Sequence, residues 1–588
     1  MAIATAVPAA TIDVVRDKWG VPHVFVPPTI AGKINQLRAL GFAQGYATAQ
    51  DRIVQLEFFR RAAKGRLSEI AFLGPSYIPG DIEARRDGYT DAQFLDQFNH
   101  LPGKVKILWR SFADGVNQFL ADANANAALK PAEFILLGLN PQTWDVSDTM
   151  AIGMLQIRRF GQNGGEELGH DAFLLDLLDN FPEAEAKGIF NDVIWGEDPT
   201  APTTIHPLEQ QFTPTPYTRF SQAQMDFIQA HATSIQSAAF AQKQSQTMFA
   251  EIGKVIGFPF EYPHTASNAM VIGGALSATG YPILLGGPQT GMTLPSFFYQ
   301  VGLHGGGYDA AGVTVPAGAG LIIGRTSNSA WSLTSGITDN TDVYWEELNP
   351  ADPKQYKVNG KFLTMTCRTE VFNPAGQPQQ TKELCRTIHG PVFASFPAEN
   401  IAFARRLYFD GREGKQAATL VSLGFAQNFR KFQSTINKME ASLNCHYADN
   451  LGTSGNIAYF HRGVLEKRNP AYDARLPLPG TGEAEITSAL KGRRMPTAVN
   501  PPLGYIANWN NKPIKGWPSD EQREQWGGID RIQILMDGIE AKKTALEPID
   551  AAALTNIMKT GAVTDHFAKK IVPFLRTAVD ALPLATPD

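Results

Sequence analysis

The amino-acid sequence predicts a large mixed helix-and-sheet protein, helical in its N-terminal part, strand-rich beyond Ser267 and helical again from Arg531 onward. Three observations carry this. Helical periodicity recurs through the N-terminal part, short apolar runs broken by glycine turns dominate the middle, and no fixed-period repeat marks a solenoid or propeller.

The first run, IDVVRDKWGVPHVFV from Ile12, reads as a strand. In the next segment Phe42, Tyr46, Ala49, Ile53, Leu56 and Phe59 fall at helical spacing and Gly65 stands where a helix stops, which predicts an amphipathic helix. Helical spacing returns from Asp148 to Phe160 and from His170 to Leu178, joined by the polar loop GQNGGEELG. From about His206 to Thr265 the composition shifts to Gln, Ala, Ser and Thr, which fits either a surface helix or a dispensable linker. Beyond it, SNAMVIGG, GYPILLGGPQTG, GLIIGRTSNSAWSLTSG and VYWEEL read as strands of a substantial sheet. IQILMDGIEAKK and DAAALTNIMKT close the chain as helices.

With 43% hydrophobic and 19% charged residues in 588, the chain can bury a large core. Its formal charge of −5 gives no electrostatic case for nucleic acid or an anionic membrane as the main partner. No apolar stretch approaches the roughly 20 residues of a membrane span, and Met1–Ala10 lacks the basic start of a signal peptide. Cys367 and Cys385 are equidistant from Gly376, the centre of the turn-like NPAGQPQ. An antiparallel hairpin would set them opposite each other, so a cross-strand disulfide and two buried thiols are both open.

The familiar catalytic signatures HExxH, CxxC, GxSxG and GxxxxGK[ST] do not occur. TASNAMVIGG, GGPQTG, SNSAWSLTSGITDNTD and GYIANWNNKP followed by WGGIDR do occur, in that order, together with RDKWGVPH, GYATAQDRIVQLEFFRR and GLHGGGYDAAG. From about Ile12 to Arg531 the sequence thereby resembles the penicillin acylase family of N-terminal nucleophile (Ntn) hydrolases. The resemblance implies an α+β fold, the Ntn-hydrolase αββα sandwich of two stacked antiparallel sheets, with a largely helical N-terminal α segment. It divides the chain into an α segment (1–205), a spacer removed on maturation (206–266) and a catalytic β segment (267–588). That last segment is shorter than the family's β chains, so the C-terminal part is expected to be truncated.

In this family self-cleavage exposes a serine as a new chain terminus, and its own α-amine is the base. Such an amine has an ordinary pKa of about 7.7–8.0, which suits proton transfer near neutral pH. Ser267, after Ala266, is the matching nucleophile. The motifs place Asn510 (side chain) and Ser335 (backbone N–H) as oxyanion donors, Gln289 at the nucleophile's end of the site and Arg531 as the group orienting Asn510. Alanine is common in the family at Ser335, which leaves a backbone role intact. A structural Ca²⁺ is implied, held by Glu166, Asp339, Asp342 and Asp520 and by the carbonyls of Thr341 and Ala474. The family pattern has proline at Ala474, and Asp520 aligns only across a one-residue gap. In the acyl pocket Phe160 keeps an aromatic, but Gln156, Thr290 and Ile323 stand where phenylacetyl-preferring members place Met or Phe.

The expected activity is hydrolysis of a small-molecule N-acyl amide, such as a β-lactam antibiotic, by the paired α and β chains of one precursor, in the periplasm or secreted. Two alternatives are an acyl-homoserine-lactone acylase of the same mechanism and a non-catalytic relative.

Overall fold

The computed structural model describes residues 11–139, 141–195, 198–256, 266–291, 293–518 and 526–582. Its centre is a nine-stranded sheet that runs, edge to edge, through Asp13–Arg16, Pro22–Phe25, Tyr299–Gly305, Tyr308–Thr314, Ile323–Arg325, Ser329–Ser335, Leu443–Asp449, Asn456–Arg462 and Thr497–Val499. All neighbours are antiparallel except Pro22–Phe25 on Tyr299–Gly305. A three-stranded antiparallel sheet, Tyr505–Asn508, Ala266–Ile272 and Ile283–Gln289, stacks on it with Ala266–Ile272 in the middle.

Side-chain alternation explains the stacking. Met270, Ile272, Tyr505 and Ala507 pack with Ile532, Leu535, Ile539 and Leu554 of the helices Ile532–Thr544 and Ala551–Val563. Val271 and Ile506, one residue out of phase, pack on Ala448, Ile457 and Tyr459 of the large sheet. The helices Lys33–Ala63, Gly103–Ala125 and Val146–Gly161 join the largest core cluster with Leu303, Tyr308, Leu333 and Cys445 of the large sheet. Helix, sheet, sheet and helix are therefore the four layers of an αββα sandwich. Each fully buried Leu, Ile or Phe contributes roughly 1.5–3 kcal/mol.

Three sequence expectations change in detail. The N-terminal run is a hairpin rather than one strand: Asp17 Oδ1 accepts from the Trp19 and Val21 nitrogens, and Gly20 takes φ 79°. The helix Lys33–Ala63 is buried around much of its circumference, because glycines let it pair closely with Gly103–Ala125. A Cβ on Gly45 would lie 2.1 Å from Phe112 O, and one on Gly115 would lie 2.0 Å from Phe42 O. VYWEEL and the Cys367–Cys385 hairpin belong, rather than to the large sheet, to a separate eight-stranded sheet centred on Thr341–Asn349 and Ile401–Leu407. Within it Thr366–Phe372 pairs with Gln380–Thr387 with Cys367 opposite Cys385, and the two are disulfide-bonded.

Part of the 206–266 segment forms the helices Gln222–Ala230 and Ala232–Ile256. Met225, Phe227, Ile228 and Ile235 are buried with Leu168, Leu174, Phe190 and Phe403, so this stretch is packed onto the body of the molecule.

Candidate active site

Ser267 is the second residue of the central strand Ala266–Ile272 and lies opposite Pro288. It shares the strand face of Val271, which is turned toward the large sheet. Its peptide N–H donates to Asn510 Oδ1 at 3.0 Å. Arg531 Nη2 donates to the same oxygen at 3.2 Å and to Trp509 O at 3.3 Å, with the guanidinium 5.1 Å from the Trp509 ring centre. These two donors fix the Asn510 carboxamide, whose Nδ2 donates to Ser335 O at 3.1 Å.

Asn510 has φ 64°, a left-handed conformation that asparagine adopts more readily than most residues. Local bonds hold it there. Trp526 Nε1 donates to Asn510 O (2.8 Å), Asn510 N donates to Asn508 Oδ1 (3.2 Å), and Trp509 N donates to Asn511 Oδ1 (3.0 Å). Gln289 pairs by backbone with Ala266, and its Oε1 accepts from Trp509 Nε1 at 2.9 Å. The hydroxyl of Ser335 donates to Phe160 O at 3.0 Å, tying the strand Ser329–Ser335 to the helix Val146–Gly161. The fold thus gathers Ser267, Gln289, Ser335, Asn510 and Arg531 around one point.

A cavity of about 450 Å³ opens on these five groups and is also lined by Gln156, Phe160, Thr290 and Ile323. Its remaining walls are mainly aliphatic, including Val315, Ile322, Leu333 and Leu420.

Sequence reasoning missed four contributors. Buried Asn444 donates from Nδ2 to Ser335 O (2.9 Å), and its Oδ1 accepts from Tyr459 OH (2.7 Å) and His461 Nδ1 (2.6 Å). Burial pushes His461 down to about 3, so the ring is neutral and its Nε2 accepts from Thr338 Oγ1. Trp509 and Trp526, both within quoted motifs, brace Asn510 and Gln289. Asp530 also lines the cavity, and burial pushes its carboxyl up to about 6, against the pull of Arg531.

The expected cation ligands are partly gathered. Asp339 and Asp342 both pair with the buried Arg468 guanidinium, whose Nε reaches Asp342 Oδ1 at 2.5 Å. Buried Glu167 joins them: its Oε1 accepts from Val343 N at 2.8 Å, and burial together with Asp342 and Asp339 holds its carboxyl well above the usual range. Glu167 Oε2 and Asp342 Oδ2 are buried without hydrogen-bond partners. Glu166 lines an adjoining polar cleft with Glu83, Arg86 and Arg405. The Gly164 backbone bridges to Thr341, and Ala474 is buried between Asp473 and Arg475, which pair with each other. Asp520 lies outside the described residues. Buried oxygen donors with surplus negative charge suit a hard divalent cation in chemistry. Among the described residues, however, three carboxylate oxygens do not converge within 4.8 Å, and Arg468 supplies the positive charge between Asp339 and Asp342.

Comparison with known proteins places this geometry. The family model described as penicillin amidase matches residues 11–586. The chain belongs to the penicillin amidase family. It is 30% identical to penicillin G acylase of Escherichia coli over 98% of this chain and 68% of that protein. It is 26% identical to penicillin acylase 2 proenzyme of Pseudomonas sp. (strain SE83), over 86% of this chain and 59% of that one. It is also 24% identical to acyl-homoserine lactone acylase QuiP of Pseudomonas fluorescens (strain Pf0-1), over 98% and 65%. Among solved structures, thermostable penicillin G acylase from Alcaligenes faecalis in orthorhombic form aligns with a TM-score of 0.50 at 30% identity, covering 54% of this chain and 56% of that one. The chain thus spans about three-fifths to two-thirds of the length of these curated relatives. Among the described residues, no helix is long and apolar enough to cross a membrane.

Proposed function

We propose that this protein is an amidohydrolase that cleaves the amide bond of small N-acyl compounds, with Ser267 as its nucleophile. One observation carries the reading: the Ser267 nitrogen, the Asn510 carboxamide and Arg531 form one hydrogen-bonded cluster in the wall of a mainly apolar cavity. A free amine at the Ser267 nitrogen would act as general base for its own hydroxyl, a role most serine hydrolases give to histidine. The hydroxyl oxygen attacks the substrate carbonyl carbon, the C–N bond breaks, and the amine leaves with a proton. The acyl group stays on Ser267 Oγ as an ester until water removes it.

Asn510 carries two N–H donors on Nδ2, and Ser335 O engages one in this form. The second serves the oxyanion together with the Ser335 backbone N–H. Donors preorganised in this way contribute about 10²–10³ in rate each.

The same reading includes maturation of one precursor into α and β chains by scission between Ala266 and Ser267. It also includes residence in the periplasm or outside the cell, and a calcium ion held by Glu166, Asp339, Asp342, Asp520 and the carbonyls of Thr341 and Ala474, for which Asp339 and Asp342 would exchange Arg468 for the ion. Calcium would supply stability, not chemistry. β-Lactam N-acyl amides are the favoured substrates; the acyl-homoserine-lactone alternative is supported by the QuiP similarity. Release of free amine from a panel of N-acyl amides and lactones, by the wild type and by Ser267→Ala, tests the reading. Equal release by both proteins would refute it.

A further inference from the structure

Gln156 is out of character with its surroundings. It lies one helical turn before Phe160 on Val146–Gly161, and both residues line the cavity, whose aliphatic and aromatic members include Phe298, Val315, Ile322 and Leu420. Its Nε2 is buried with no hydrogen-bond partner, and among the described residues lining the cavity it is the one buried side-chain polar atom in that condition. That unpaired N–H is a standing cost, and rotation of the carboxamide toward the cavity that Gln156 lines lets an acceptor on a ligand remove it.

We infer that Gln156 sets acyl specificity by donating to an ether, oxo or hydroxyl oxygen within the acyl chain, so that the preferred substrates carry such an oxygen beyond the scissile carbonyl. This rests on the acylase reading and names its substrate class. The donor discriminates by difference: a hydrocarbon chain of the same shape buries against Gln156 and leaves its N–H unmet, whereas an oxygen at that point satisfies it.

Phenoxyacetyl and 3-phenylpropanoyl amides of one chromogenic amine differ by a single O for CH₂ and provide the test. Divided by the ratio of the two amides' alkaline hydrolysis rates, which removes the greater electrophilicity of the phenoxyacetyl carbonyl, the kcat/KM ratio of the mature wild type should be about tenfold in favour of phenoxyacetyl, the size of one neutral hydrogen bond. In Gln156→Leu and Gln156→Met the ratio should fall to about one. Because both substrates are compared on one preparation, partial misfolding of a variant cancels. A wild-type ratio near one, or a ratio that survives in both variants, overturns the inference while leaving the acylase reading intact. Failure of the mature wild type to cleave either amide overturns both.

Discussion

The backbone nitrogen of Ser267 and the side-chain oxygen of Asn510 are 3.0 Å apart, although 243 residues separate them in sequence. Strand pairing explains the encounter. Ala269 to Ile272 lie in register with Asn508 to Tyr505, and the chain then turns through Trp509 into a left-handed Asn510.

Asn510→Gly keeps the left-handed backbone and removes the carboxamide. On the proposed mechanism, in which the lost donor serves the oxyanion, amide hydrolysis should fall about 10²–10³-fold in kcat while KM changes little. Steady-state kinetics on a cleaved amide check this. Arg531→Ala, which frees the carboxamide to reorient and releases Trp509 O, should cost less than Asn510→Gly, and the double variant should cost less than the sum of the two single variants.

His389 provides a pH test of stability. Burial disfavours its charge, but hydrogen bonds with Glu346 and Glu485, each 2.8 Å, outweigh that and raise it to about 9; the ring also stacks on Tyr344. A raised histidine contributes stability fully below its ordinary pKa of about 6.5, and that contribution is lost as pH rises through about 9. His389→Gln should therefore lower Tm clearly at pH 6 and much less at pH 10. An equal drop at both values would contradict the charged state.

Calcium should raise the Tm of the wild type and a chelator should reverse the gain, with Asp342→Asn abolishing both responses. Arg468→Gln removes the cation that now pairs with Asp339 and Asp342, and should deepen the calcium dependence. Thermal melts with and without chelator decide the matter.

The Cys367–Cys385 bridge closes a segment with a sequence separation of 18, worth about 3 kcal/mol in the chain-entropy model. Cys385→Ser should lower Tm without changing the proposed scission before Ser267, since the hairpin lies in the eight-stranded sheet, apart from the strand Ala266–Ile272. Cys445 is buried and its thiol is pushed up, which keeps it from replacing the lost partner.

Ser267, Gln289, Ser335, Asn510 and Arg531 were singled out through the family resemblance, carried by short polar motifs at strand ends and turns, and the fold brings all five to one cavity. Asn444 was not legible. It is a lone amide inside the buried strand Leu443–Asp449, and only the pairing of that strand with Ser329–Ser335 brings it onto the Ser335 carbonyl. The four layers followed from the family resemblance, and the order of helical and strand-rich segments agreed with them. The separate eight-stranded sheet did not follow, because its hairpins carry long-range pairings, such as Ile401–Leu407 on Thr341–Asn349, that local pattern does not encode. The N-terminal hairpin was missed for a smaller reason: Asp17 and Gly20 make the turn inside an otherwise continuous extended run.

Intact-mass analysis of the wild type and Ser267→Ala, with N-terminal sequencing of every fragment, tests the central claim most directly. The account predicts two chains from the wild type, one beginning at Ser267, and a single uncut chain from the variant. A wild type that never divides between Ala266 and Ser267, or a variant that divides there equally well, would contradict it.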